Sequence, residues 1–187
     1  MAQEAPRLLT EISTFRQNGK DLHVIIETPK GSRNKLDYES EFGVFELAGV
    51  LPEGSVFPYD FGFVPSTLGE DGDPLDVLVL LDESVSVGCL VVARLIGVIE
   101  AEQTEREGQT TRNDRLLAVA TRAHTQAHVQ TLKDLRPQMV DEIEHFFRSY
   151  NQTKGKTFEP TGRGGPERAL ALVQAGQQRW QAKRQLS

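Results

Sequence analysis

Apolar residues recur along this chain with two different periods, and the switch between them divides it into two parts. Over the first two-thirds the spacing is that of strands. Leu22–Glu27 (LHVIIE) is a β-prone run ending in an acid, and TPKGSRNK after it reads as a turn segment marked by Pro29 and Gly31. Phe42–Leu47 alternates as a half-buried strand would. The stretch LPEGSVFPYDFGFVPSTLGEDGDP is aromatic-rich but broken by Pro and Gly, so short strands and turns are expected there. Pro74–Leu81 is a strand, and Cys89–Glu102 is a longer one with a bend expected at Gly97. A polar loop, EQTEREGQTTRND, leads to a further strand at Arg115–Thr121.

The last third changes period. Leu132, Leu135, Met139, Val140, Ile143, Phe146, Phe147 and Tyr150 recur at helical spacing between Thr131 and Tyr150, with Pro137 early enough for a first turn. Lys154–Gly165 reads as a Gly-rich, basic loop. Pro166 to about Lys183 reads as a second amphipathic helix with Ala169, Leu170, Val173 and Trp180 on one side. Strands followed by helices predict an α+β fold, a small barrel or curled sheet flanked by C-terminal helices. With no repeat and no linker, residues 1–187 are expected to form a single domain: an N-terminal arm over 1–20, the strands, and a helical part over 131–187.

Composition narrows the function classes. A chain of 187 residues with 38% hydrophobic and 26% charged residues can bury a real core as a globular protein. The net charge of -6 argues against a general binder of nucleic acid or of anionic membranes. Cys89 is the sole cysteine, which excludes an intramolecular disulfide and fits a reducing compartment. The N-terminal MAQEAPRLLTEISTF carries acids and no long apolar stretch, against a secretory signal, and no run nears the roughly 18 apolar residues of a membrane span. A cytoplasmic location is expected.

The chemistry concentrates in EDGDPLDVLVLLDE. Asp71, Asp73 and Asp76 crowd negative charge against the start of an apolar strand. Carboxylates this close repel one another and need a counter-charge. A solvated turn is one explanation, since Asp-Gly and Asp-Pro are ordinary turn dipeptides. A divalent metal site is the other, because hard cations such as Mg²⁺ select carboxylate oxygens. On an extended chain Asp71 and Asp73 point to one side, and the turn at Pro74 would bring Asp76 round. A calcium-binding EF-hand loop does not fit, because the third acid falls at position 6 of the loop and a β-prone run follows.

DGDPLDVLVL closely resembles the signature of soluble family I inorganic pyrophosphatases, D-x-D-P-x-D followed by an apolar strand. VIIETPKGSRNKLDYE, FPYDFGFVPST, IGVIEAE, RLLAVAT, LKDL and EIEHFFRSY resemble that family's other segments in the right order, covering about Leu22 to Pro160. The resemblance implies a five-stranded OB-like β-barrel with flanking helices. It also implies Mg²⁺-dependent hydrolysis of pyrophosphate to two phosphates by direct attack of water. Several Mg²⁺ ions are implied per site, with Mn²⁺ or other divalent ions able to substitute. Metal binding lowers the pKa of a water from about 15.7 towards 7. The middle aspartate, Asp73, would accept the proton from the attacking water, with Asp71 and Asp76 as metal ligands. Glu27 matches a glutamate near the metals, and Lys35, Arg115 and Tyr150 match phosphate-binding positions. Arg115 stands where the family has lysine, so charge is kept while the geometry changes. Asp37 stands where the family has a glutamate. Bacterial members of the family are homo-oligomers, often hexamers. Pyrophosphate, a second copy of the chain, and neither nucleic acid nor membrane are the partners implied.

The match also departs from the family. Gly49 stands where a phosphate-contacting arginine is expected, and Asn151 where a lysine is expected, so Lys154, Lys156 or Arg163 would have to supply that charge. Phe57 and Phe61 replace two tyrosines. Of the two loop aspartates, the second falls on Asn113 by strict spacing to Arg115, with Asp114 beside it; a carboxylate suits Mg²⁺ better, which favours Asp114. The first is assigned to Glu105, with Glu102 and Glu107 as alternatives. A divergent hydrolase of another small phosphoanhydride is therefore the second reading. A catalytically weakened barrel acting as a binding module, with Phe57 to Phe63 stacking on bases, is the third. His124 and His128, four apart, lack the glutamate of HExxH and read as surface residues. Arg163-Gly164-Gly165 is a lone triplet, and no P-loop pattern occurs.

Overall fold

The structure is a computed structural model that describes residues 8–17 and 19–186. Its strands are β1 (Leu22–Thr28), β2 (Asn34–Glu39), β3 (Val44–Val50), β4 (Asp60–Val64), β5 (Leu75–Leu80), β6 (Leu90–Thr104), β7 (Thr110–Arg112), β8 (Arg115–Ala120) and β9 (Thr157–Gly164). The helices are α1 (Pro137–Thr153) and α2 (Pro166–Leu186). Five strands close on themselves in the order β1–β4–β5–β8–β6 and back to β1. Only β5 and β8 run parallel in that ring. This is the five-stranded barrel that the family resemblance implies, and of the barrel and the curled sheet that the apolar runs leave open it is the barrel.

Closure explains the residue pattern. Every residue of β4 and β8 is buried, because one face lines the barrel interior and the other is covered. Such strands read as continuous apolar runs rather than alternating ones. The long β6 serves as the shared staple, pairing with β1, β7, β8 and β9. Its register shifts between Leu95 and Gly97, the bend expected there. Helix α1 begins with Pro137 in its first turn and lays Met139, Val140, Ile143 and Phe147 on the core. Phe147 meets Phe61 of β4 and Phe158 of β9 at ring separations of 6.0 and 5.5 Å.

Four expectations need correction. Lys154–Gly165 is not a loop beyond residue 156: β9 pairs along β6 from Thr104↔Thr157 to Val98↔Gly164. The turn segment ending at Lys35 already contains the start of β2, which forms a two-stranded sheet with β3. That hairpin is more exposed than the alternation of Phe42–Leu47 suggests, with Val44, Leu47 and Val50 each more than half exposed. Leu170 of α2 is partly exposed, and Gly176 joins Ala169 and Val173 on its buried face instead.

The arm expected over 1–20 is fixed where it is described. Residues 1–7 and 18 lie outside the described residues. Beyond them, the Ser66 amide donates to Thr10 O (2.8 Å), Thr14 Oγ1 to Pro65 O (2.9 Å), and the His23 amide to Thr14 O (2.8 Å). Among the described residues no helix is long and apolar enough to cross a membrane.

Candidate active site

The acidic segment sits on a tightly folded loop between β4 and β5. The Leu75 amide donates to Thr67 Oγ1 (3.1 Å), the Gly69 amide to Asp73 O (2.6 Å), and the Asp73 amide to Asp71 Oδ1 (3.2 Å). Gly72 takes a φ of +94°, a left-handed conformation that costs a side-chain-bearing residue about 1 kcal/mol or more. The loop therefore turns the three aspartates into the mouth of a cleft of about 650 Å³ at one end of the barrel.

Asp71, Asp73, Asp76, Glu27, Lys35, Asp37, Arg115, Tyr150 and Lys154 all line this cleft, as do Gln103, Asn113, Asn151 and Lys156. Its floor is aromatic. Phe57 stands edge-on to Tyr150 (5.7 Å), and Tyr150 stacks on Phe146 (5.9 Å). The two phenylalanines that replace tyrosines thus make the floor apolar, with the Tyr150 hydroxyl at its border. That Oη is buried and lacks a hydrogen-bond partner among the described residues.

Lys35 is almost fully buried. Its Nζ lies 4.9 Å from the Phe61 ring centroid, donates to Leu36 O (2.8 Å), pairs with Asp37 and stands 3.6 Å from Glu27. Arg115, only 4% exposed, packs its guanidinium over Phe147 and Phe158. Its Nη1 meets Asp76 Oδ2 (2.6 Å) and the Asn113 side-chain oxygen. From there a polar chain runs to the rim: Asn113 Nδ2 donates to Gln103 Oε1 (3.3 Å), Gln103 Nε2 to Glu105 Oε1 (2.7 Å), and Lys156 pairs with Glu105 (2.7 Å).

Two expected metal ligands are placed elsewhere. Asp114 lies outside the cleft lining, in a small adjoining cavity that Asp71 and Asp76 also line: its Oδ1 accepts from the Ala101 amide (3.0 Å) and its Oδ2 from Arg112 Nε (2.6 Å), which fixes the β6–β7 hairpin. The strictly spaced Asn113 faces the cleft instead. Alternation along the chain carried this information, since 113 and 115 share a side and 114 does not. Glu105 is held by Lys156 and Gln103 outside the cleft lining. Arg163 is also unavailable to the cleft, because β9 directs it to Glu144 (2.7 Å) and Asp141 on α1. Lys154 and Lys156 remain as the added cations. His124 and His128 lie in an exposed turn segment rather than on a helix.

Burial and crowding shift the acids upward. Desolvation lifts Glu27 from 4.5 to about 7 against the pull of Lys35 and the Tyr38 amide, which donates to it at 2.8 Å. Asp76 is raised by desolvation despite Arg115. Asp73 is raised by desolvation and then by Asp76 and Asp37, and Asp71 by desolvation with Asp73 adding to it. The Tyr150 hydroxyl is also raised, by burial and then by Asp37. Lys154 is lowered by desolvation, with Lys35, Lys156 and Arg115 repelling its charge. Both signs of charge are thus packed into one cleft. Among the described residues the acids do not converge as a group of three around one point. Asp76 is drawn to Arg115, and Asp71 turns back onto its own loop.

Comparison with known proteins places this cleft in context. Residues 24–181 match the sequence model of the family described as inorganic pyrophosphatase. An inorganic pyrophosphatase of Nostoc sp. is 39% identical over 152 residues, 81% of this chain and 87% of that protein. One from Synechocystis sp. is 37% identical over 82% of this chain and 88% of its own length. The crystal structure of inorganic pyrophosphatase from Thermus thermophilus superposes with a TM-score of 0.84 at 33% identity, covering 94% of this chain and 99% of that one.

Proposed function

The chain belongs to the inorganic pyrophosphatase family, and we propose that it hydrolyses pyrophosphate to two phosphates in this cleft, with Asp73 taking the proton of the attacking water. The observation that carries the site assignment is the crowding of opposite charges around one cleft. The carboxylates suit cations, and the buried cations and the unpartnered Tyr150 hydroxyl suit a small, highly charged anion.

The donor set fits Mg²⁺. It is made of carboxylate oxygens only, all pushed towards protonation, the state that a hard divalent cation reverses. Asp71, Asp73, Asp76 and Glu27 are the residues that would hold it. When bound, such ions neutralise substrate charge and lower the pKa of a coordinated water. The protein's own residues supply the rest. Asp73, raised by desolvation and then by its acidic neighbours, is a stronger base than a free aspartate. Lys35 and Arg115 are clamped on aromatic rings, so their charges are already in place when a phosphate arrives. Tyr150 offers its hydroxyl, and Lys154, over the Tyr150 ring at 4.4 Å, completes the grip in place of the lysine replaced by Asn151.

We further place the chain in the cytoplasm as a homo-oligomer. Exposed apolar residues on one hairpin, Phe42 at 71%, Val50 at 58% and Leu47 at 55%, support self-association, which light scattering would test.

The activity test is phosphate release from pyrophosphate, with and without Mg²⁺, for the intact chain and for Asp73→Asn. Release that requires the metal and falls about a hundredfold or more in the variant is expected. Full activity in Asp73→Asn would remove Asp73 from its role.

A further inference from the structure

We propose that Lys183, on the last turn of α2, is a substrate-contacting residue that adds phosphate-binding charge, beside Lys35, Arg115 and Lys154, to a cleft that lacks the arginine replaced by Gly49. This assignment rests on the reading of the cleft as a pyrophosphate site.

Helix α2 runs along the outside of the aspartate loop and is locked to it. The Leu68 amide donates to Gly176 O (3.0 Å), Arg179 Nη1 donates to Leu68 O (2.8 Å), and Arg179 Nη2 stands 3.8 Å from Glu70. These contacts fix where the helix ends. Its final turns bring Trp180, Lys183 and Arg184 into the wall of the cleft, beside Asp71 and Asp73. Trp180 and Arg184 brace that wall, since the Arg184 guanidinium lies 4.8 Å from the Trp180 ring and 3.4 Å from Glu11 of the N-terminal segment. The charge of Lys183 reaches Asp73 and opposes the rise of its carboxyl.

Elsewhere the cleft is lined by Lys35, Arg115, Lys154 and Lys156, while two positions where the family carries a cation hold none. Gly49 has no side chain, and Asn151 is buried with its amide donating to Phe147 O (2.9 Å). Because Lys183 lines the same cleft as Asp73, a doubly charged product phosphate held near Asp73 meets its ammonium from the α2 side. Lysine suits this place because a flexible ammonium follows a ligand that changes shape on cleavage.

The competing explanation is that Lys183 only neutralises the aspartates. The two differ in what its removal does. A neutraliser, once removed, leaves phosphate affinity intact and tightens Mg²⁺ binding. A phosphate contact, once removed, weakens phosphate and raises KM. The experiment compares wild type, Lys183→Gln and Lys183→Arg with Mg²⁺ present, by steady-state pyrophosphate hydrolysis and by calorimetry with inorganic phosphate. Lys183→Gln is expected to raise KM and the phosphate Kd about fivefold to tenfold, with kcat within about twofold, and Lys183→Arg to restore both. Unchanged KM and phosphate affinity in Lys183→Gln, beside an active wild type, would overturn this assignment alone. Tighter Mg²⁺ binding without weaker phosphate binding would overturn it too. A wild-type chain that neither cleaves pyrophosphate nor binds phosphate would overturn the reading of the cleft, and this assignment with it.

Discussion

Gly49 lies opposite Lys35 on the β2–β3 ladder, and a Cβ there would meet no heavy atom within 4 Å. Cross-strand partners project to the same side, so a side chain at 49 would share the face that carries Lys35. Gly49→Arg should therefore add a guanidinium near the phosphate site without a clash. We expect KM for pyrophosphate to fall about threefold to tenfold, read from steady-state rates, with no loss of melting temperature. A variant that folds but binds no better would mean that Gly49 faces away from bound phosphate. At this scale the lining of the candidate site was legible, because Asp71, Asp73, Asp76, Lys35 and Arg115 stand out by type and spacing and all line the cleft. The placement was harder to read where residue type was preferred over direction. Being acidic favours Asp114 as a ligand, yet in the connection between β7 and β8 it pairs with Arg112, and Asn113 lines the cleft. Gln103, Trp180 and Lys183 left no local signal, since only the packing of β6 and α2 brings them to the cleft.

At the scale of elements, the aspartate loop is held between two braces. The N-terminal segment holds Ser66, whose φ of +53° is unusual for a residue with a side chain, through the Ser66 amide to Thr10 O and Ser66 Oγ to Ile12 O (2.8 Å). Helix α2 approaches from the other side at Gly176, where a Cβ would lie 2.8 Å from Leu75 Cδ1 and 3.3 Å from Leu68 O. Gly176→Ala makes the Leu75 side chain swing aside and asks Thr67 Cβ (3.2 Å) and Leu68 O to give by a few tenths of an ångström. A destabilisation of about 1–3 kcal/mol in urea unfolding is expected, with a fall in kcat because the aspartates ride on the displaced loop. Unaltered kcat would show that the loop keeps its shape without α2. The barrel strands could be read in advance because closure buries both faces and leaves dense apolar runs. Strand β9 could not. Pro160, Gly162 and Gly164 make a poor strand locally, and the element exists because β6 offers a long unpaired edge. Strands β2 and β7 were missed for a related reason, since each pairs with one neighbour and buries little.

For the molecule as a whole, the cleft sets how stability depends on pH. Glu27 rises from 4.5 to about 7 on folding, and Asp71, Asp73 and Asp76 rise as well. A raised acid binds more protons in the folded state, so its contribution is complete below the unfolded value and is lost as pH climbs through the folded one. For Glu27 that window runs from 4.5 to about 7, and its full span corresponds to about 3 kcal/mol. Asp82, Glu100, Glu105 and Asp134 are lowered by hydrogen bonds, so their contributions are lost only as pH falls through the folded values, below this window. The metal-free protein should therefore lose melting temperature steadily between pH 5 and 7.5. Glu27→Gln, which keeps an oxygen for the Tyr38 amide, should flatten that slope and melt higher than wild type at pH 7.5. Divalent ions bind the deprotonated carboxylates, so added Mg²⁺ should raise the melting temperature more at pH 7.5 than at pH 5.5. Thermal melts in chelator and in Mg²⁺, at both pH values and for both chains, give all four comparisons. A flat metal-free profile for wild type would mean that Glu27 does not take up its proton in the folded state. A Mg²⁺ effect independent of pH would mean that the ion binds away from the raised carboxylates, and the cluster at the cleft mouth would lose its claim to be the metal centre.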